Sequence, residues 1–274
     1  MNETNRNHVE LYQLKKLASL LDEFEREMDA HISGKVKWEE DYPNILLQVA
    51  GKASLTMRAI IVLCREGLPD AALALARQIY EQSMILCFFE KVRQQPDFSD
   101  YVEDYFTDYD IQREKHFRWR AEHVSDDPDE LKDCMERINN TKKKAHREVK
   151  GDYWWAGKRT FADLVQSLIA NPNKQIALHF SMAHLCYMRA SKDVHGGCLG
   201  NRLRLVSSPA FCGIDNSVKT TGHGLPLYFS VSSFVLIVIV VFGFFKINFE
   251  RIVRGFDELE DLYASIFSAE EAIL

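Results

Sequence analysis

The sequence predicts an all-α protein, built as a single multi-helix bundle with one long loop in its second half. Three observations predict this class. Apolar residues recur every three or four positions through most of the 274 residues, which is the period of an amphipathic helix. Segments rich in Gly, Pro, Asn and Asp separate these periodic stretches. The chain contains no Gly-rich phosphate-binding loop, repeat or low-complexity tract.

Five helices are predicted in the first 150 residues. The periodicity places them at residues 9–32, 44–65, 69–92, 98–124 and 129–150. Gly34, Gly67 and the Pro96-Asp97 step interrupt the pattern between them. Pro69 opens the third helix, whose alanines permit close helix–helix approach. The fifth is mostly polar, so we expect it to lie on the surface.

The second half starts with an aromatic connector, 151–157, that contains Trp154 and Trp155. Thr160 and Asp163 resemble a capping box and predict a short helix that ends at Ala170. A longer helix, 176–197, follows. The non-helical section 198–226 comes next, with one short strand predicted at 202–206, and helices at 225–245 and 248–266 complete the bundle.

The segment 225–245 is about the length of a membrane span. Three serines lie in its first half, and its unbroken apolar core, 234–245, is about a dozen residues long. We therefore predict a helix buried at the centre of the bundle, with a membrane span as the alternative. We expect residues 1–43 to form an N-terminal helix that packs on a helical domain formed by residues 44–274.

Composition indicates a cytoplasmic globular protein without stable membrane insertion. Apolar residues make up 46% and charged residues 27%, and the formal net charge of −6 excludes a surface that is basic throughout. The six cysteines form no C-x-x-C pair, which favours reduced thiols over a zinc site. Because the N-terminal segment is charged throughout, we do not expect it to be a signal peptide. We expect neither a metal nor a cofactor.

The helix 176–197 is the strongest candidate for a functional element. Its apolar stripe consists of Phe180, Ala183, Tyr187, Ala190 and Val194. In the same helix, Arg189 and His195 are six positions apart, which on a regular helix places their side chains about 120° apart. They converge only if Gly196-Gly197 bends the last turn, or if a second chain supplies the missing half of the site.

Two interpretations of these residues remain open. Tyr187, Ser191 and His195 step by four and share a face, as do Arg189 and Asp193. In the functional interpretation His195 is a general acid or base and Arg189 binds a phosphate, with Ser191 and Asp193 as supporting polar groups. In the structural one, Arg189–Asp193 is a surface ion pair and His195 caps free carbonyls at the helix end.

Two further sets of charged residues are candidates. Arg77 and Glu81 form an i,i+4 pair. The pair either stabilises its own helix, or Glu81 orients His195 or Arg189 or accepts a proton. The one strong basic cluster is either a solvated face or a contact for an RNA backbone; it consists of Lys142, Lys143 and Lys144 with His146, Arg147 and Lys150. In the second case Trp154 and Trp155 would stack on bases.

Arg189-x5-His195 resembles the Arg-x(4–6)-His motif of HEPN domains, an all-α nucleotide-binding family. The chain also looks like an uncharacterised bacterial family related to it, in which a helix similar to Arg77-x-x-Tyr80-Glu81 precedes a Ser-x-x-x-His pattern, here Ser191 to His195. The resemblance covers about residues 50–195. It implies a HEPN-like bundle and a metal-independent endoribonuclease, with His195 and Arg189 as its catalytic residues.

The resemblance also implies partners. Two motifs commonly meet across a homodimer, and such proteins act in toxin–antitoxin pairs or phage defence, so we expect an antitoxin or another defence-system partner. With RNA as substrate, the expected contacts are Arg77, Lys142, Lys143, Lys144 and Lys192, and Glu81 supports the catalytic pair. Ala190 stands where active members often carry a polar residue. The alternatives are a catalytically inactive binding or scaffold protein and a membrane-anchored protein.

Overall fold

The computed structural model describes residues 3–32, 34–37, 41–124, 127–171, 173–194, 205–208, 211–214 and 223–271. Within these ranges the helices are α1 (Glu3–His31), α2 (Asp41–Arg65), α3 (Pro69–Val92), α4 (Phe98–His123), α5 (Pro128–Lys142), α6 (Phe161–Ile169), α7 (Lys174–Val194), α8 (Gly224–Phe245) and α9 (Glu250–Glu271). A 3₁₀ turn (Trp154–Ala156) and two short strands, β1 (Leu205–Ser208) and β2 (Phe211–Ile214), are also present. The all-α class predicted from the sequence is confirmed.

Most helix boundaries agree with the hydrophobic periodicity. Helix α3 begins at Pro69 as predicted. The capping box of α6 is present: Thr160 Oγ1 accepts the Asp163 N–H at 3.2 Å, and Asp163 Oδ2 accepts the Thr160 N–H at 3.0 Å. Helix α1 begins six residues earlier than predicted, at Glu3, in a polar stretch where periodicity carries no signal.

The predicted helix 129–150 is wrong in its second half, because α5 ends at Lys142. The buried carboxylate of Asp104 in α4 draws the following segment away from helical geometry. It accepts the backbone N–H of His146 at 2.8 Å and Arg147 Nη1 at 2.8 Å. The Arg147 guanidinium also lies 3.5 Å from the centre of the Tyr101 ring. These contacts hold residues 143–150 against α4 as an irregular segment.

The short strand predicted at 202–206 begins later and has a partner. Strand β1 pairs with β2 in antiparallel register, from Leu205 opposite Ile214 to Ser208 opposite Phe211. The second strand was missed because it is only four residues long and includes Gly213, which is unfavourable in strands. The hairpin lies within the section that was expected to be non-helical.

Contacts divide the chain into two compact units, residues 1–87 with 172–274, and residues 88–171. The division falls inside α3, whose last residues belong to the second unit. In the first unit α1 packs against α2 and α9. The domain boundary at residue 43 stays a prediction.

Helix α8 is the central element of the first unit, and it packs against α2, α7 and α9. It is apolar on all sides, and most of its residues are buried by the neighbouring helices. Phe234 and Phe242 contact Phe24 of α1, with ring centres 5.2 Å and 5.1 Å apart. Phe229 contacts Tyr80 of α3 at 5.3 Å. Packing of this kind fixes α3 and α7 around α8.

Two of the described helices, α2 and α8, are long and apolar enough to cross a membrane. The most apolar window of α2 is 50% buried inside the protein and that of α8 is 72% buried. A core helix satisfies the same criteria of length and composition, so the absence of a membrane span and a cytoplasmic location stay predictions.

Aromatic side chains form the core of the second unit. Trp155 stacks on Phe89 with ring centres 5.5 Å apart and meets Tyr105 edge-on at 5.0 Å. Trp154 donates its indole N–H to Asp108 Oδ1 at 2.7 Å. The two tryptophans are only 2% and 3% exposed. The expectation that they stack on RNA bases is therefore wrong: the aromatic connector is a core element.

We predict that Arg147→Met lowers the free energy of unfolding by about 3 kcal/mol, because it leaves the fully buried Asp104 carboxylate without its cationic partner. His146→Ala is the matched control: it removes only exposed pairs with Glu103 and Asp100 and keeps the backbone N–H that Asp104 accepts. Urea unfolding measures both. Equal losses in the two variants would contradict the role given to Asp104.

Candidate functional site

Helix α7 packs against the other helices of the first unit through the stripe predicted from its periodicity. Phe180 and Ala190 are completely buried, and Ala183 and Tyr187 are nearly so. The stripe therefore belongs to the core as far as residue 190. The side chain of its last member, Val194, lies outside the described residues.

One polar cluster connects α7 to α3. Arg77 Nε donates to Glu81 Oε1 at 2.9 Å, and the Tyr187 hydroxyl donates to the same oxygen at 3.2 Å. The Arg77 guanidinium carbon lies 5.1 Å from the centre of the Tyr187 ring. We call these three residues the α3–α7 cluster. Its ion pair is half-buried, with side-chain exposures of 22% for Arg77 and 32% for Glu81.

The electrostatics of this cluster are consistent with its geometry. Burial, together with the Glu81 carboxylate, raises the pKa of Tyr187, so its hydroxyl stays protonated and can donate. Burial alone would lower the pKa of Arg77. The interactions with Glu81 and Tyr187 raise this pKa by more than burial lowers it, so the net shift is upward. The carboxylate therefore stays between two permanent donors, which gives it a fixed orientation.

Aromatic side chains pack against the α3–α7 cluster. The fully buried Tyr80 ring lies 5.3 Å from Tyr187 and 5.5 Å from Phe180. His184 stacks on Tyr187 at 6.0 Å with nearly parallel planes. The segment Arg77-x-x-Tyr80-Glu81 thus supplies both an apolar and a polar contact to α7. The Arg77–Glu81 pair singled out in the sequence does more than stabilise its own helix.

One face of α7 is buried and the other is exposed, and the residues of the motif do not all belong to the same face. Ser191 follows Tyr187 by four residues, so it shares the face of the α3–α7 cluster, and its side chain is half-buried. Position 189 is two residues from Tyr187, about 200° around the helix. It belongs with Leu185, which is 65% exposed, on the outer face. Within one chain, the backbone of α7 therefore separates position 189 from the cluster.

Several predicted site residues lie outside the described part of the chain. His195 is beyond the last described residue of α7. Arg189, Lys192 and Asp193 occupy helical positions in α7, but their side chains are outside the described set. The approach of Arg189 to His195 therefore stays a prediction, as do the ion pair with Asp193 and an RNA contact from Lys192.

The basic cluster divides into two parts in the structure. Lys142, Lys143 and Lys144 are exposed at the end of α5, in the second unit. Arg147 instead pairs with Asp97 and Asp104, so it serves the fold. Three exposed lysines are left as cationic groups that can reach a phosphate backbone. Whether they contact RNA stays a prediction.

The described part of the chain holds no group of three His, Cys, Asp or Glu side chains close enough together to bind a metal ion. The α3–α7 cluster offers an oriented carboxylate and hydroxyl beside α7. It positions α7, which includes position 189, and His195 follows the last described residue of that helix.

Tyr187 is the functional residue that sequence reasoning undervalued. It was assigned to the apolar stripe, which is correct for its ring, but its hydroxyl joins Glu81 to α7. A signal was present: a tyrosine in a buried stripe needs a hydrogen-bond partner, and Glu81 was an acidic candidate on another predicted helix. Periodicity alone treats such a residue as apolar and so hides its polar end.

We predict that Tyr187→Phe costs about 1 kcal/mol of stability, because it removes one hydrogen bond to a half-buried carboxylate. A double-mutant cycle with Glu81→Gln should show a coupling energy above about 0.5 kcal/mol. Tyr109→Phe, at an exposed position of α4, is the control and should be nearly neutral. Additive effects of the Tyr187 and Glu81 substitutions would contradict the cluster.

Comparison with known proteins gives one result at the level of the family. No match was found among curated proteins or among solved structures. A family model matches residues 44–209, which include α3, the α3–α7 cluster, α7 and β1. The match covers more than half of the chain, and the chain therefore belongs to DUF5677, a family of unknown function.

Proposed function

We propose that this protein is a metal-independent endoribonuclease of HEPN type, in which His195 and Arg189 carry the chemistry. The observation that supports the proposal is the α3–α7 cluster. The two segments on which the resemblance rests, Arg77-x-x-Tyr80-Glu81 and the motif helix, are far apart in sequence and joined by a hydrogen bond in the fold. A shared constellation is a better basis for function than a shared fold class.

The proposed reaction is an internal transesterification. His195 removes the proton of an RNA 2′-hydroxyl, whose oxygen forms a bond to the adjacent phosphorus. Arg189 stabilises the extra negative charge on the phosphoryl oxygens through its fork of donors. The bond from phosphorus to the 5′-oxygen then breaks, and an acid returns a proton to that oxygen. The products are a 2′,3′-cyclic phosphate and a 5′-hydroxyl.

The remaining candidate residues have supporting roles. Glu81 and Tyr187 orient α7, and Ser191, which shares the face of the cluster, would donate to a substrate oxygen. Asp193 is a second polar group on the motif turn. Lys142, Lys143 and Lys144 would attract the RNA backbone by charge, and Arg77 and Lys192 would be further cationic contacts. A cell would need to restrain such an enzyme, which fits a toxin or phage-defence effector with a neutralising partner.

A second copy of the chain completes the site in this proposal. Arg189 and His195 lie on different faces of a regular helix, and the outer face at position 189 is flanked by exposed apolar residues, Leu185 and Met188. Exposed apolar side chains beside a functional position are typical of a covered surface. A homodimer through the end of α7 would bury them and bring Arg189 of one chain towards His195 of the other.

The chemistry is tested with purified protein and a structured RNA in the presence of EDTA. We expect cleavage to 2′,3′-cyclic phosphate ends, and a loss of about 10²-fold or more in both His195→Ala and Arg189→Ala. His116→Ala, an exposed histidine of α4, is the control and should retain full activity. If wild type and His195→Ala leave RNA equally intact, in vitro and on expression in cells, the protein is a binding or scaffold protein.

The dimer is tested by light scattering after size exclusion. We expect the wild type to be a dimer and Leu185→Glu to be a folded monomer with at least tenfold lower cleavage, because the charge faces the partner. Leu55→Glu, at the 70% exposed position of α2, is the control and should remain a dimer. A monomeric wild type with full activity would contradict a site shared between two chains.

A further inference from the structure

A groove on the first unit lies between α7, α8 and α9, beyond the residues of the proposed active site. Its volume is about 410 Å³, which is within the range of small-ligand sites. One wall is apolar and consists of Leu178, Met182, Val235, Leu236 and Ile239. Leu178, Met182 and Ile239 are exposed, so the groove opens to solvent.

The other wall of the groove is polar and acidic. Asp257 and Glu260, one turn apart on α9, both line it. Burial raises the pKa of Glu260 to about 7, and the neighbouring Asp257 and Asp261 carboxylates add to the rise. Burial and Asp261 also raise the pKa of Asp257. The two carboxyl groups are thus partly desolvated and mutually repulsive, a state that a bound cation would relieve.

A buried imidazole gives a second and independent indication of a ligand. His179 lines the same groove, and its Nε2 is buried with no hydrogen-bond partner among the described residues. Burial lowers the pKa of His179 to about 4, so the ring is neutral near pH 7. Most buried polar atoms have a partner, so the unpartnered Nε2 of this groove-lining histidine is not explained by the described fold.

We propose that this groove binds a small amphipathic amine, whose apolar body lies along Leu178, Met182 and Ile239 and whose ammonium group contacts Asp257 and Glu260. The ammonium group has three donors and a positive charge, which match the two carboxylates. A carboxylic acid of the same shape would be repelled, and an alcohol would leave both carboxylates without a counter-charge. The proposal does not depend on ribonuclease activity.

Binding of the amine has a consequence for protons. The positive charge favours ionised Glu260, so its pKa falls and a proton is released near pH 7. Affinity should therefore increase as the pH rises through about 7, since the amine itself, like lysine, stays charged to about pH 10. The other titratable groups around Glu260 are His179, Tyr228, Asp257 and Asp261. Burial raises the pKa of Tyr228 above its usual value, so it stays neutral in this range.

The experiment is calorimetry of the full chain at pH 7 with 4-phenylbutylamine, 4-phenylbutanol and 4-phenylbutyrate, in two buffers of different ionisation enthalpy. We expect the amine alone to bind, with proton release. Glu260→Gln should weaken binding about tenfold and abolish the proton release. Asp257→Asn, at an exposed position, is a second variant that is expected to fold and to weaken binding. Glu258→Gln is the control: that exposed carboxylate pairs with Lys16, outside the groove, and should bind as the wild type does.

Three results would overturn the proposal. First, binding of the alcohol as tightly as the amine would make the groove a purely apolar site. Second, the same affinity for the amine in Glu260→Gln, Glu258→Gln and wild type would show that Glu260 does not contact it. Finally, no amine binding together with conversion of a dimer to a monomer by Leu178→Glu would assign the groove to a second copy of the chain. Loss of ribonuclease activity in His195→Ala has no bearing on any of them.

Discussion

The hydrogen bond from Tyr187 to Glu81 sets the rotation of α7 about its own axis. Once the stripe through Phe180 and Ala190 is buried and Tyr187 contacts the Arg77–Glu81 pair, every other position of α7 has an assigned face. Position 189 then belongs to the outer face, and Ser191 to the inner one. The proposed chemistry must work within this constraint, and it does so most simply when two chains contribute to each site.

Part of the fold followed from periodicity because α6 and α7 each bury one apolar face. Such helices leave a regular record of apolar residues in the sequence, and their ends are fixed by local chemistry such as the Thr160–Asp163 box. The end of α5 could not be predicted in this way. Residues 143–150 are drawn to the buried Asp104 of α4, about forty positions away, and no local pattern reports a contact of that range.

The site was predictable to a similar degree. The Arg77–Glu81 pair is a local i,i+4 feature, and it is present. Its link to α7 spans more than a hundred residues and depends on a tyrosine whose ring and hydroxyl serve different purposes. The tryptophans show the opposite error: an aromatic-rich connector suggested base stacking, but Trp154 and Trp155 fill the core of the second unit. Composition alone does not distinguish a stacking surface from a packed interior.

We propose that two chains complete one ribonuclease site, because position 189 belongs to the outer face of α7. Subunit complementation tests it most directly, by mixing Arg189→Ala with His195→Ala and measuring RNA cleavage after subunit exchange. In a mixed dimer one of the two shared sites has both an intact Arg189 and an intact His195. We expect the mixture to recover cleavage that neither variant has alone. A mixed dimer that stays as inactive as the parent variants would show that Arg189 and His195 act within one chain, and would contradict the account.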